Sequence, residues 1–248
     1  MELPSDLRLG LAPSRELQLP SPGGQDEAHG HGGRQGVKTG TTTLAIAGTD
    51  GVVMATEKRA TMGHLIGHKN TQKLFPVDDH LALTVAGLVG DAQMLVRYLK
   101  AQVQLYRFKR DAPMPVRSAA TLLGNLLNGS RYSPYWVQLI VGGHDADRGG
   151  AIYSVDSAGG AIPERWTVTG SGSTFVYGVL EDRITPEISV KDAIDLAVRG
   201  LNAAMRRDAG SGNGMDIAVI DGSGFRSLTE EDILRRHKAL KLPPGWTE

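Results

Sequence analysis

The residues best suited to chemistry stand at an abrupt change in the chain, in the string Lys38-Thr39-Gly40-Thr41-Thr42-Thr43. A threonine hydroxyl is a weak nucleophile unless a base lies beside it. If the chain were cut after Gly40, the α-amine of Thr41 would be that base, because its pKa of about 7.7–8.0 lies near the working pH. Gly40 has no Cβ, so it permits the tight backbone that self-attack on its carbonyl requires. The string alone is equally typical of an ordinary strand start.

Lys73 is the charged residue that its surroundings single out. Lys73 lies in Gln72-Lys73-Leu74-Phe75, an otherwise apolar predicted short strand, where an unpaired charge would be costly, so it needs a partner of opposite charge. Glu57 follows the predicted strand GVVMAT. Because Lys58 and Arg59 come next, a solvent-exposed loop charge is the simpler interpretation of Glu57 from the residues alone.

Two further polar patterns have plainer explanations than ligand binding. Gly170-Ser171-Gly172-Ser173 precedes a predicted helix and could cradle a phosphate, but it lacks the Gly-Lys-Ser/Thr ending of a P-loop. His64 and His68 have the spacing of two ligands on one helix face, but there is no HExxH motif and no third ligand nearby. We therefore expect no metal and no cofactor.

Composition argues against several classes of function. The chain has 248 residues with 27 basic and 27 acidic side chains, so it offers no electrostatic footprint for nucleic acid. It has no cysteine, which excludes disulfides and thiolate metal sites and fits a reducing cytoplasm. No apolar run approaches the ~20 residues that span a bilayer, and no signal peptide is recognisable. We therefore expect a cytoplasmic protein without membrane or nucleic-acid partners.

Residues 1–40 differ in composition from the rest of the chain. They hold four prolines, a glycine-rich stretch and few large apolar residues. Such a segment cannot bury enough surface to offset the entropy of ordering it, so we expect a disordered leader before one folded domain. On composition alone, a simple flexible tail is the plainer interpretation of the leader.

Hydrophobic periodicity divides the folded part into blocks of strands and helices. Strands are predicted at 42–47, 51–56, 81–86, 136–141, 151–155 and 215–220. Helices are predicted at 92–106, from Pro115 to 127, at 173–181 and at 189–206, and Thr229 resembles a helix N-cap. Because strands and helices are segregated, we expect an α+β fold with mostly antiparallel sheets. The simplest arrangement is two sheets packed face to face with helices outside each.

Six segments together resemble archaeal proteasome β subunits in order and spacing: KTGTTT, ATEKRATMG, HKNTQKLF, TVAGLVGDAQ, TGSGSTFVYGVLE and RRDAGSGNG. The resemblance covers nearly all of residues 38–221. It implies an N-terminal nucleophile hydrolase, whose fold is a four-layer αββα sandwich. It also implies a propeptide over residues 1–40, removed by self-cleavage between Gly40 and Thr41, and a catalytic domain over residues 41–248.

The resemblance assigns catalytic roles one residue at a time. Thr41 matches the nucleophile with its own α-amine as base, Lys73 the lysine beside it, and Glu57 that lysine's acidic partner. Many members of the family have aspartate in place of this glutamate. Gly87 matches the glycine whose N–H stabilises the oxyanion. The family's polar cluster around the threonine is matched by Ser171, Asp208 and Ser211.

The resemblance also implies a substrate preference and partners. The first substrate pocket matches a mostly apolar set without an acidic residue: Ala60, Thr71, Phe75, Val85, Val89 and Gln93. Such a pocket indicates a chymotrypsin-like preference for large apolar side chains. The implied partners are proteasome α subunits and other β subunits in stacked heptameric rings, a regulatory ATPase unfoldase and unfolded protein substrates.

Two alternatives stay open at this point. A related two-ring bacterial protease of the same superfamily also uses an N-terminal threonine, but the long leader and the GSGS and RRDAGSGNG segments favour the proteasome. The other alternative is a non-catalytic ring subunit. Such subunits usually lose the nucleophile or the lysine, and this chain has both Thr41 and Lys73.

Overall fold

The computed structural model describes residues 40–244, so the expectation of a disordered leader falls outside the described residues. The strands, in chain order, are β1 (Thr42–Gly48), β2 (Gly51–Glu57), β3 (Ala60–Met62), β4 (Leu65–His68), β5 (Leu74–Asp78), β6 (Leu81–Gly87), β7 (Val137–Asp145), β8 (Gly149–Val155), β9 (Ala161–Glu164), β10 (Trp166–Gly170), β11 (Met215–Asp221) and β12 (Gly224–Ser227). The helices are α1 (Val89–Arg110), α2 (Val116–Gly129), α3 (Ser173–Arg183), α4 (Val190–Met205) and α5 (Glu230–Ala239).

Ten of these strands form two antiparallel sheets of five. The first sheet has the order β10-β1-β2-β11-β12, and the second has the order β5-β6-β7-β8-β9. Strands β3 and β4 form a separate antiparallel hairpin. Alternation along β1 shows how the layers arise, because Leu44 and Ile46 pack towards the helices while Ala45 faces the other sheet.

Three apolar clusters lie between four layers. One cluster joins the first sheet to α3, α4 and α5, and a second joins the other sheet to α1 and α2. The third cluster lies between the two sheets and includes Met54, Ile140 and Ile152. The layers are therefore helix, sheet, sheet, helix, which confirms the predicted αββα sandwich of antiparallel sheets. Within residues 40–244, no helix is both long and apolar enough to cross a membrane.

The predicted helices and most predicted strands are present with small shifts at their ends. Pro115 is the N-cap of α2 rather than part of its first turn, and the Val116 N–H donates to Asp145 Oδ1 at 3.0 Å. Thr229 is the N-cap of α5 and accepts from the N–H of Asp232, as predicted. Lys73 directly precedes β5 instead of lying within a strand.

One end of the sandwich gathers the segments that the sequence singles out. The start of β1, the end of β2, the end of β6 and the end of β10 all meet there. The pairing fixes this arrangement, because Thr42 lies opposite Gly170 and Thr43 lies opposite Thr56. The loop between α4 and β11 reaches the same end, since Met215 pairs with Glu57.

We predict that Leu123→Ala lowers the free energy of unfolding by about 2–5 kcal/mol, because Leu123 is fully buried between α2 and the second sheet. Leu122→Ala is the matched control, since Leu122 is only partly buried. The measurement is urea unfolding of the unassembled subunit by circular dichroism. Equal losses for the two variants would contradict this account of the core.

Candidate active site

The Gly40–Thr41 peptide is held at both ends. Thr41 is buried, with 4% of its surface exposed, and its hydroxyl donates to the Gly40 carbonyl oxygen at 2.6 Å. The Thr41 N–H donates to Ser171 Oγ at 3.1 Å, and the Gly40 N–H donates to Thr61 Oγ1 at 2.7 Å. The hydroxyl of Thr41 is therefore already placed beside the carbonyl of its own peptide bond.

Gly40 lies where no larger residue fits. A Cβ at Gly40 would overlap the Cα of Gly210, and a Cβ at Gly210 would overlap the Cα of Gly40. The two backbones thus touch without intervening side chains. Glycine at position 40 is required by this close approach.

A buried ion pair lies next to the start of β1. Lys73 Nζ donates to Glu57 Oε1 and to the carbonyl oxygen of Arg59, and Glu57 is fully buried. Glu57 Oε1 also accepts from the Thr42 N–H at 3.1 Å. Its Oε2 accepts from the N–H groups of Arg59 at 2.7 Å and Gly212 at 3.0 Å. The interpretation of Glu57 as an exposed loop charge is therefore wrong, and the acidic partner expected for Lys73 is present.

Burial changes the proton affinity of both partners. Desolvation lowers the pKa of Lys73 below its ordinary value, while the charges of Glu57 and Asp208 act to raise that pKa and the charge of Arg59 lowers it further. Desolvation also raises the pKa of Glu57. The charge of Lys73, the hydrogen bond from Lys73, and the N–H groups of Gly212 and Arg59 act in the opposite direction. Burial thus pushes both groups towards their neutral forms, while their mutual attraction favours the charged forms.

A chain of hydroxyls connects the start of β1 to one carboxylate. Ser171 Oγ and Ser211 Oγ each lie 2.6 Å from Asp208 Oδ2 and donate to it. Because the Ser211 hydroxyl proton is used there, Ser211 accepts from Thr42 Oγ1 at 2.6 Å. Ser171 likewise accepts from the Thr41 N–H. The three residues of the predicted polar cluster are thus brought together around the first two residues of the domain.

Two clefts meet at Gly40. The first, of about 640 Å³, is lined by Thr41, Lys73 and all six residues predicted for the substrate pocket, from Ala60 to Gln93. The second, of about 700 Å³, is lined by Ser171 and Asp208 on one side and by Tyr135 and Trp136 on the other. Open space therefore lies on both sides of the Gly40–Thr41 bond.

Gly87 lines both clefts at the end of β6. Its φ of 130° is in the region that glycine favours, and a Cβ there would overlap the carbonyl oxygen of Trp136. The strained φ and the close contact with Trp136 both require glycine here, and its partly exposed backbone borders the two clefts. This exposure fits the donor role that the resemblance implies for Gly87.

The histidine pair does not have the arrangement that its spacing suggested. His64 lies in the turn between β3 and β4, and His68 lies in β4, so the two do not share a helix face. Across residues 40–244, no cluster of three or more histidine, cysteine, aspartate or glutamate side chains has the arrangement of a metal site.

The site contains residues that the sequence reasoning missed. Thr42 reaches both Glu57 and Ser211, Thr61 anchors Gly40, and Arg59 bonds to Asn213. Thr42 and Thr61 are ordinary strand residues by type, so only their position within the KTGTTT and ATEKRATMG segments could have indicated a role.

Comparison with known proteins gives one consistent result. Residues 37–220 match the family described as Proteasome subunit. A proteasome subunit beta of Picrophilus torridus is 50% identical over 207 residues, which cover 83% of this chain and 98% of that protein. The corresponding protein of Methanothermobacter thermautotrophicus is 50% identical over 81% of this chain and 96% of its own length. That of Thermoplasma acidophilum is 47% identical, with coverages of 84% and 98%.

We predict that Glu57→Gln destabilises the fold by about 3–5 kcal/mol, because it leaves the buried Lys73 cation without its counter-charge. Asp216→Asn is the matched control, since it removes the acid of the more exposed Lys58–Asp216 pair and should cost less than about 1 kcal/mol. The measurement is the free energy of unfolding of both variants, obtained from urea unfolding at neutral pH. Similar costs would mean that the buried pair is not a structural requirement.

Proposed function

This chain belongs to the family of proteasome β subunits, and on that premise we propose that it is a catalytic subunit of the proteasome core particle. It is a threonine endopeptidase, made as a precursor that cuts itself between Gly40 and Thr41. The observation that carries the proposal is the 2.6 Å contact between the Thr41 hydroxyl and the Gly40 carbonyl oxygen, in a cleft shared with buried Lys73.

Self-cleavage is an attack of Thr41 Oγ1 on the Gly40 carbonyl carbon. The new C–O bond forms as the C–N bond breaks, which leaves an ester on the hydroxyl and a free amine on Thr41. A water molecule then hydrolyses the ester, and the leader departs with Gly40 as its new carboxylate. No free α-amine exists before this cleavage, so a water molecule serves as the base in the first step.

The leaving nitrogen needs a proton when the C–N bond breaks. Ser171 Oγ is 3.1 Å from the Thr41 nitrogen and 2.6 Å from Asp208 Oδ2, so it lies between that nitrogen and a carboxylate. The Thr41 N–H donates to Ser171 and Ser171 donates to Asp208, so these groups hold the nitrogen in place and do not supply its proton. The proton comes from the Thr41 hydroxyl, by way of the water molecule that serves as the base. We therefore assign to Ser171 and Asp208 the positioning of this nitrogen, with Ser211 orienting the carboxylate.

Peptide hydrolysis then uses the free amine of Thr41 as the base. The hydroxyl attacks the substrate carbonyl, and the N–H of Gly87 stabilises the developing oxyanion. The resulting ester is hydrolysed by a water molecule that the amine activates. The cation of Lys73, held by Glu57, favours the deprotonated forms of the hydroxyl and of the amine.

The substrate preference follows from the pocket beside Thr41. Ala60, Val85 and Val89 supply small apolar surfaces, and Phe75 adds an aromatic ring. Thr71 and Gln93 are polar but uncharged, so a basic side chain would find no counter-ion among these residues. We therefore propose a chymotrypsin-like preference for peptides with a large apolar residue before the cut bond.

The remaining parts of the proposal concern assembly. We propose that this chain forms heptameric β rings, stacked between rings of α subunits, and receives unfolded proteins from an ATPase unfoldase in the cytoplasm. The leader of residues 1–40 keeps the nucleophile amine blocked until assembly. Enclosure in such a particle would protect other proteins from an otherwise indiscriminate protease.

A non-catalytic ring subunit is the alternative of a different class. An active-site-directed epoxyketone separates the two, because it forms an adduct with an N-terminal threonine that has a free amine. Modification of Thr41 in the assembled particle supports the catalytic proposal. An unmodified subunit in a complete particle would favour the structural alternative.

We predict that Lys73→Ala abolishes both leader removal and peptide hydrolysis, while Thr41→Ala blocks self-cleavage but leaves folding intact. Lys69→Ala is the control for the loss of a lysine, since Lys69 is exposed. Each chain is co-expressed with its α partner, and the intact mass of the β subunit is measured. A Lys73→Ala chain of mass Thr41–Glu248 with wild-type peptidase activity would refute the role of Lys73.

We also predict that Gly40→Ala slows leader removal by at least about tenfold, because its Cβ would push the Gly40 carbonyl away from the Thr41 hydroxyl. Once processed, this variant has the same sequence as mature wild type and should have the same peptidase activity per processed subunit. A time course of intact mass after assembly gives the rate. An unchanged rate would mean that contact with Gly210 does not position the bond.

A further inference from the structure

The side chain of Arg59 bonds to the loop that carries Asp208 and Ser211. Arg59 Nε donates to Asn213 Oδ1 at 2.7 Å, and Arg59 NH1 donates to the Ala209 carbonyl oxygen at 3.0 Å. The guanidinium also packs directly against the Cα of Gly212. One side chain from the connection between β2 and β3 thus contacts three residues of the segment 209–213.

The backbone of the same residue holds the buried ion pair. The Arg59 N–H donates to Glu57 Oε2 at 2.7 Å, and the Arg59 carbonyl oxygen accepts from Lys73 Nζ. The Gly212 N–H donates to the same Glu57 oxygen at 3.0 Å. Arg59 is therefore bonded on one side to the pair and on the other to the loop that completes the pair's hydrogen bonds.

We propose that Arg59 is a positioning residue, whose guanidinium holds the loop of residues 208–213 in register with the Glu57–Lys73 pair. The proposal rests on the proposed function, because the register matters only if Lys73 and Asp208 act on the two ends of the same threonine. Arg59 itself touches neither the Thr41 hydroxyl nor the cut bond in any hydrogen bond of the structure within residues 40–244.

The contacts require a guanidinium rather than any cation. The two acceptors lie on different residues, and a planar fork with fixed donors reaches both at once, whereas an ammonium on a flexible stem does not. Both acceptors are neutral oxygens, so the bonds fix direction and are not a simple ion pair. The backbone of Asn213 is left-handed, with a φ of 63°, a conformation that asparagine tolerates. The bond from Arg59 holds the side chain of this residue.

The charge of Arg59 has a second effect on the site. The charged groups that face Lys73 are Glu57, Asp208 and Arg59. Burial is the main reason that the pKa of Lys73 is lowered, and the positive charge of Arg59 lowers that pKa further. Removal of this charge should therefore raise the pKa of Lys73, and Lys73 should stay protonated to higher pH.

The test uses the full chain co-assembled with its α partner, as wild type and as Arg59→Ala, Arg59→Lys, Asn213→Ala and the control Lys58→Gln. The readouts are kcat and KM for an apolar peptide per processed subunit, and the pH dependence of kcat. We expect Arg59→Ala to lower kcat at least about tenfold with little change in KM, because misplacement of catalytic groups costs rate more than binding. In the pH profile of kcat for Arg59→Ala, the fall in rate on the alkaline side should move to higher pH.

The other variants separate the charge from the hydrogen bonds. Arg59→Lys keeps the charge, so its alkaline limb should stay in place while kcat falls. Asn213→Ala removes one of the two bonds, so it should lower kcat by less than Arg59→Ala and leave the limb unmoved. Lys58→Gln should behave as wild type, because Lys58 bonds only to the partly exposed Asp216 among the described ion pairs.

Two results would overturn the proposal without touching the proposed function. One is an Arg59→Ala particle with wild-type kcat. The other is an equal loss of kcat in Arg59→Ala, Arg59→Lys and Asn213→Ala, with no movement of the alkaline limb in any of them. A general loss of folding would give that result. If the wild-type particle hydrolyses no peptide, or if Lys73→Ala is fully active, the proposed function fails and this proposal fails with it.

Discussion

The buried pair of Lys73 and Glu57 is the constraint on which the rest of the site depends. Removal of two opposite charges from water costs several kcal/mol per ion, which is recovered only if every remaining lone pair and proton is bonded. The carboxylate of Glu57 meets this condition with donors from Thr42, Lys73, Arg59 and Gly212. These donors belong to four separate stretches of chain, so the pair forms only when all four have converged.

The sandwich brings these stretches together at one end of the two sheets. Strands β1 and β2 lie next to each other, β11 lies beside β2, and β5 and β6 belong to the opposite sheet. The cluster between the sheets includes small residues such as Ala45, Ala82 and Ala218, which let the layers approach closely. The charged groups sit where this apolar packing ends, buried from solvent but adjacent to open clefts. The core thus supplies the desolvation that lowers the pKa of Lys73.

How much the sequence could predict depends on the position of each strand. The strands predicted from periodicity, β1, β2, β6, β7, β8 and β11, are all interior strands of the two sheets. Three of the four edge strands, β9, β10 and β12, and the separate hairpin have no predicted counterpart, and the predicted short strand at 72–75 only overlaps the start of the fourth, β5. Edge strands are short and packed on fewer sides, and β5 and β9 contain Pro76 and Pro163, so their apolar alternation is weak. Only β10 pairs with a strand that is distant in the chain, β1, whereas β5, β9 and β12 each pair with a neighbouring strand. For the site, desolvation cost predicted that Lys73 has an acidic partner, but the donors around Glu57 are backbone groups, which every residue has.

The same atoms have different tasks before and after the bond at Gly40 is cut, under the proposed function. Before cleavage the Thr41 nitrogen is an amide that donates to Ser171 Oγ, which in turn donates to Asp208. After cleavage it becomes an amine in the same place, where the carboxylate of Asp208 would favour its protonated form and the cation of Lys73 would favour its neutral form. A general base works best when its pKa is close to the working pH, and the ordinary pKa of an α-amine, about 7.7–8.0, already lies there. The register between the Asp208 loop and the Lys73 pair therefore sets the balance between those charges as well as the positions of the atoms.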